Sequence, residues 1–155
     1  MASAKRKPGP ADPLVLEEFL PYRLSILSNR VSRAIARRYA KVFDLTIPEW
    51  RVIAVLGRKP GLTAKEIAEA TEMDKVAVSR AVARLTAARR IAARADREDA
   101  RRQPLSLTRE GEALHARIAP MALASEERLL AVLDAQERRQ LNRLLDRLLD
   151  AAKGL

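Results

Sequence analysis

Apolar residues recur along this chain with two different periods, and the places where the period changes divide it. Leu20, Leu24, Leu27, Val31 and Ala34 step by four, three, four and three, the spacing of a helix that lays a narrow apolar stripe against another helix. The pattern predicts a helix from Leu14 to about Val42, longer than a small domain needs for its own core. Arg23, Arg30, Arg33, Arg37 and Arg38 lie off the stripe or at its edges. Thr46 can cap the next helix, with Glu49 at the capping-box position and Pro48 tolerated in the first turn. That helix runs through Trp50, Val52, Ile53, Val55 and Leu56 to Gly57, and Lys59-Pro60-Gly61 ends it. Thr63 and Glu66 form a second capping box for a short helix through Ile67 and Ala68. Asp74 caps a third, running to about Ala88, and the tight turn at Thr71-Glu-Met separates the two. Residues 63–88 therefore spell helix, turn, helix.

After Arg89 the pattern shortens. Ile91-Ala-Ala and Leu105-Ser-Leu107 fit two short strands closed by a charged tip, a hairpin. Thr108-Arg-Glu-Gly111 begins another helix, expected to kink near Pro120, and a last helix from about Ala135 carries Leu141, Leu144, Leu145, Leu148 and Leu149 on one face. The fold class this predicts is mainly α with a small β-hairpin wing: a winged helix-turn-helix domain plus a helical dimerisation region built from the N- and C-terminal helices. The chain divides into a flexible basic arm over 1–13, an N-terminal dimerisation helix over 14–45, a winged DNA-binding domain over 46–110 and C-terminal dimerisation helices over 111–155. The stripe at 20–34 and the leucine face at 141–149 exceed what one small winged domain can bury, so a homodimer is expected to hide them. An intramolecular helical hairpin is the alternative.

Charge adds the first functional clue. The 155 residues hold 30 Lys and Arg against 20 Asp and Glu, a formal charge of +10, which points towards polyanions, nucleic acid before membrane. The excess is localised. Residues 74–109 contain ten basic and four acidic side chains, whereas 125–153 contain six of each. There is no cysteine, which excludes disulfides and thiolate metal sites. No apolar run reaches the length of a membrane span and the N-terminus lacks a secretory pattern, so a cytoplasmic location is expected. His115 stands alone with no acidic cluster at ligand spacing and no glycine-rich phosphate loop, so no metal, no cofactor and no enzymatic activity are expected.

A helix-turn-helix followed by a hairpin presents the first half of its second helix to the major groove. With Val78, Val82 and Leu85 turned inward, Lys75, Val76, Ser79, Arg80 and Arg84 remain for DNA or solvent. Arginine fits guanine O6 and N7, Ser79 can bond base or phosphate, and Val76 can touch a thymine methyl. Lys65 and Lys75 suit phosphates. Thr63 joins them at the start of the first helix, and Arg94, Arg97, Asp99, Arg101 and Arg102 in the hairpin. Arg97 and Arg101 are placed to enter the minor groove, with Asp99 expected to brace one of these arginine forks.

Leu45-Thr-Ile-Pro-Glu-Trp50-Arg-Val-Ile, Leu62-Thr-Ala-Lys-Glu-Ile-Ala, Met73-Asp-Lys-Val-Ala-Val-Ser-Arg80, Asp99-Ala-Arg101-Arg102 and Leu107-Thr-Arg-Glu-Gly111, in this order, resemble the MarR (multiple antibiotic resistance regulator) family over roughly residues 20–150. The resemblance implies a triangular homodimer on a palindromic double-stranded DNA operator, acting as a transcriptional repressor, with Asp99 and Arg101 the wing pair. Ala100 departs from the arginine that relatives often carry, and Arg102 stands beside it to share that role. The family also implies release by a small aromatic acid. By placement Tyr22, Arg23, Asn29, Trp50, Arg51 and His115 are the effector candidates, with Trp50 and Tyr22 as plain core residues the other reading. Residues 20–29 are similar to regulators that sense aryl-coenzyme A thioesters, a second effector class. Two further readings stay open: an effector-independent architectural DNA-binding protein, and an adaptor that keeps the fold for a protein partner.

Overall fold

The computed structural model describes residues 13–99 and 101–155, so the basic arm, with Lys5, Arg6 and Lys7, lies outside the described residues, as does Ala100. The first helix, α1, spans Leu20–Phe43, six residues shorter at its start than the pattern predicts. Pro21 is the reason. It sits in the first turn, where its missing N–H is harmless, but a helix running through it from Leu14 would drive its ring into the Glu17 carbonyl. Residues 15–19 instead close a separate turn, with the Glu18 and Phe19 N–H groups both 3.1 Å from the Val15 carbonyl.

The remaining elements follow their caps. Helix α2 (Ile47–Arg58) starts at the Thr46–Glu49 box, in which the Thr46 N–H donates to Glu49 Oε2 at 2.7 Å. Helix α3 (Ala64–Thr71) starts at the Thr63–Glu66 box with the same 2.7 Å bond. In front of α4 (Lys75–Ala87), Asp74 Oδ1 accepts from the N–H groups of Val76 at 2.9 Å and Ala77 at 3.1 Å. Each such cap satisfies orphan donors and contributes about 1 kcal/mol. Strands β1 (Ile91–Ala93) and β2 (Leu105–Leu107) pair antiparallel with Ile91 opposite Leu107. Helix α5 (Arg109–Leu130) continues through Pro120, and α6 (Ala135–Ala152) begins at an Asp134–Glu137 box.

Two backbone contacts escape the sequence pattern. The α2–α3 loop adds a bridge to the free edge of β2: the Gly61 N–H donates to the Leu105 carbonyl at 2.8 Å, and the Leu105 N–H to the Leu62 carbonyl at 2.9 Å. At the start of α5, a Cβ on Gly111 would lie 2.0 Å from the Arg90 carbonyl oxygen, so only glycine lets this helix close on the hairpin.

The core draws on the end of α1 (Tyr39, Phe43), on Val52, Ile53 and Leu56 of α2, and on Ile67, Val78 and Leu85 of the helix-turn-helix. Ile91 and Leu105 of the hairpin and Leu114 and Ile118 of α5 complete it. Each fully buried aliphatic side chain contributes about 1.5–3 kcal/mol. Helix α6 contributes nothing to that core, having no buried residue.

Candidate nucleic-acid interface

Helix α4 divides into two faces. Val78, Ala81 and Leu85 are buried and Val82 is half-buried against the core; Ala81 joins the three inward positions that the pattern predicts. Lys75, Val76, Ser79 and Arg80 are exposed. They fall in two pairs four residues apart, which places them on one side of the helix. Val76 is a β-branched apolar residue standing 55% exposed in the middle of this polar face. Lys65, on α3, is also exposed and makes only a loose 3.9 Å pair with Glu69.

Arg84 departs from its expected role. Its Nε donates to Glu49 Oε1 at 3.0 Å, and the guanidinium reaches to 4.0 Å from Asp44. Glu49 is only 2% exposed, and its other oxygen accepts both the N–H and the hydroxyl of Thr46 at 2.7 Å. A buried carboxylate must be paired and hydrogen-bonded, and Arg84 completes the set. The guanidinium therefore ties α4 to α2 instead of reaching out to read bases. Sequence carried a signal for this: Glu49 sits with Val52, Ile53 and Leu56 on the buried face of α2, and an acid there calls for a base. A second tie was missed. The Arg90 guanidinium donates to the carbonyls of Phe43 and, at 3.2 Å, of Asp44, capping the C-terminal end of α1 with a cation.

In the hairpin, Arg94 extends the ladder through its N–H, 2.8 Å from the Pro104 carbonyl. Asp96 Oδ1 then accepts from the Glu98 and Asp99 N–H groups at 2.9 and 3.3 Å, and Asp99 Oδ1 accepts from the Arg101 N–H at 2.9 Å. Asp99 thus shapes the backbone of the tip, and the expectation that it braces an arginine fork is corrected. The braced fork is that of Arg102, held 3.0 Å from Glu66 Oε1 and 3.4 Å from Asp96 Oδ2. Arg102 clamps the tip to the first turn of α3, so it is not a second free minor-groove arginine standing in beside Ala100. The Thr63 N–H and hydroxyl, followed by Arg102, hold the Glu66 carboxyl below its usual range. The Glu98 and Asp99 N–H groups, followed by Arg102, do the same for Asp96, and Arg102 is raised in turn. Thr63 is occupied by its capping box. Arg97 and Arg101 are exposed, and neither is ion-paired among the described residues.

The effector candidates separate into two places. Trp50 stacks on His115 at a ring distance of 5.9 Å and tilts against Tyr39 at 6.0 Å. Arg51 donates to the Ser32 hydroxyl at 3.3 Å. These residues join α1, α2 and α5, and burial pushes the Tyr39 hydroxyl up to about 12, with Glu49 adding to it and Arg51 opposing. His115 comes so close to α2 that a Cβ at Gly57 would meet its ring at 2.8 Å. Tyr22 and Arg23 instead line an open groove of about 570 Å³ on the first half of α1. Asn29 lies on the same helix and offers its carbonyl to Arg33 Nε at 3.2 Å. Among the described residues no helix is long and apolar enough to cross a membrane, and no three His, Asp or Glu side chains come together as a metal site.

Residues 43–102 match the model of the MarR family. Over 131 residues the chain is 30% identical to the HTH-type transcriptional repressor Rv2887 of Mycobacterium tuberculosis, covering 84% of this chain and 91% of that one. It is 28% identical over 115 residues to the transcriptional regulator HosA of Escherichia coli, covering 74% and 85%. Among solved structures, a MarR/EmrR family transcriptional regulator from Acinetobacter sp. ADP1 superposes with a TM-score of 0.83 at 26% identity, covering 92% of this chain and 100% of that one. The S. aureus MepR–DNA complex shares the fold, with a TM-score of 0.76 at 22% identity over 88% of this chain and 98% of that one. The exposed cationic helix, the clamped hairpin and these likenesses lead to one conclusion: the chain belongs to the MarR family and is a DNA-binding transcriptional regulator of the repressor type.

Proposed function

We propose that this regulator acts as a homodimer on a palindromic operator and is released by a small aromatic acid or an aryl-coenzyme A thioester. The observation that carries the DNA reading is the contrast between paired and free cations. Arg84 and Arg102 are held by carboxylates and orient the reading elements, while Lys75, Arg80, Arg97 and Arg101 stand exposed and free of ion pairs among the described residues. In this reading Ser79, Arg80 and Val76 address base edges, Lys65, Lys75 and the Thr63 end of α3 position phosphates, and Arg101 with Arg97 enters the minor groove beside Arg94. Residues 46–110 form the reading head; 14–45 and 111–155 form the dimer scaffold. Support for the dimer comes from the unburied leucines: Leu144, Leu148 and Leu149 of α6 are 42, 46 and 65% exposed. The effector is placed at the junction of Trp50, Arg51 and His115, where an arginine meets a carboxylate and an aromatic ring stacks.

Gel-shift and sedimentation measurements on the full chain test this. A dimer should protect two half-sites about one helical turn apart, with affinity falling steeply as salt rises. Arg101→Ala should weaken operator binding at least tenfold while leaving the fold intact. Normal binding by that variant overturns the wing assignment, and broad coverage without preferred palindromes overturns sequence-specific regulation.

A further inference from the structure

The chain passes twice between the winged head and the long helices, from α1 into α2 at residues 44–46 and from β2 into α5 at Thr108. Arg90, which lies between α4 and β1, touches both crossings. Its N–H donates to the Leu85 carbonyl of α4 at 2.9 Å, and its own carbonyl accepts from the Thr108 N–H at 3.1 Å. That carbonyl oxygen is also the atom on which Gly111 closes. The side chain goes the other way: its guanidinium donates to the carbonyls of Phe43 and, at 3.2 Å, of Asp44. One residue therefore links the reading helix, the start of α5 and the end of α1. Arg84 adds only a 4.0 Å approach to the Asp44 carboxylate.

The corner between α1 and α2 is three residues long and turns through a left-handed backbone at Asp44, φ 49°. Short element-terminal segments of this kind absorb hinge rotation. Tyr39, Phe43 and Leu45 fasten the corner to the core, but apolar burial is non-directional. It opposes separation without fixing an angle. Hydrogen bonds have preferred distances and angles, and a helix end offers carbonyls that lack a helical partner. Arginine suits this place because its planar fork serves two neighbouring carbonyls and its charge answers the helix dipole.

We propose that Arg90 is the positioning residue that fixes the angle of the reading head on the α1 arm, and thereby the half-site spacing that the regulator accepts. This role rests on the dimer and palindrome proposed above, in which two heads on one scaffold meet two half-sites at a set separation and rotation. One added base pair moves the half-sites about 3.4 Å further apart and turns them by roughly 34°. A pinned head cannot follow that change, and a loosened head can. The guanidinium is occupied by α1 carbonyls, so its effect on DNA passes through geometry and not through base contacts.

The test uses a palindrome selected by the full wild-type chain from a random duplex library. Gel-shift titrations compare it with versions that carry one more or one fewer central base pair, and with one that carries a base change in each half-site. The wild type should lose at least tenfold in affinity on either spacing change. Arg90→Ala should lose less than threefold on the same change, yet pay the full wild-type penalty for the altered bases. Arg90→Lys, which keeps the charge without the planar fork, should fall between them. Circular dichroism and sedimentation check fold and assembly; if the alanine variant unfolds, Arg90→Gln fills the space with a neutral donor and should relax spacing in the same direction. A folded variant that rejects altered spacing as strongly as the wild type overturns the role of Arg90 alone. Loss of base preference together with spacing preference also overturns it, because the head itself would then have lost its shape. Tolerance of altered spacing by the wild type removes the palindrome-spanning dimer, and the proposal falls with it.

Discussion

The reading head and the scaffold arms handle their apolar and charged side chains in opposite ways. Over residues 46–110 the large apolar side chains turn inward, Val76 being the exposed exception. The head's one buried carboxylate is fully partnered by Thr46 and Arg84. The first half of α1 leaves Leu20, Leu24 and Leu27 open and α6 leaves Leu144, Leu148 and Leu149 open, and among the described residues the α1 arginines make no ion pair. The head is held by a core of its own side chains together with the end of α1 and the start of α5. Arms that do not close need another molecule, and their geometry becomes adjustable by whatever covers them.

The largest effect expected is at Gly111, where the head seals. Gly111→Val should cost at least about 4 kcal/mol and abolish the cooperative thermal transition, because the added Cβ meets the Arg90 carbonyl at 2.0 Å and backbone cannot step aside. Gly57→Ala should cost less, about 1–2 kcal/mol, since the His115 ring that it meets can swing away. Next in size is the arm. Leu144→Asp/Leu148→Asp should convert dimer to monomer in sedimentation and weaken operator binding by orders of magnitude, with the hydrogen-exchange protection of Val52, Ile53 and Leu85 retained. Loss of that protection along with the dimer would break the distinction between a self-sufficient head and dependent arms.

Within the head, Glu49→Ala should cost about 1–2 kcal/mol, read as a lower denaturant midpoint. The effect is moderate because the partner Arg84 is 56% exposed and can turn to water. The smallest effect is electrostatic. Glu66 and Asp96 have lowered pKa values, so their contribution is complete above the ordinary carboxylate range, about 4. It is lost as pH falls through the lowered values. The hairpin tip should therefore stay clamped down to that acid region and open below it. Backbone N–H bonds are the largest cause of both shifts, so Arg102→Ala should raise the two carboxyl pKa values only in part, as carboxyl carbon NMR would show. A complete return to ordinary values would mean that the arginine, and not the turn, holds the tip.

The same contrast governs what was readable in advance. Caps, periodicity and turn residues are local, so the boundaries at Thr46, Thr63, Asp74 and Thr108, the hairpin and the two-faced α4 could be read from the order of residues alone. The early start of α1 was misjudged because apolar spacing hid the steric veto of Pro21. Long-range partners left no such trace. Arg84, Arg94, Arg97, Arg101 and Arg102 look alike along the chain, and only the packing of α4 on α2, and of the hairpin tip on α3, decides that two of them are structural ties, while among the described residues Arg97 and Arg101 make no ion pair.

Sequence by itself settled the elements and the sign and location of the charge, because helix caps and net charge depend on neighbours a few residues away. Tertiary structure alone decided which charges are spent. An ion pair such as Arg84 with Glu49 spans 35 residues, and its existence depends on two helices meeting, not on anything either segment contains.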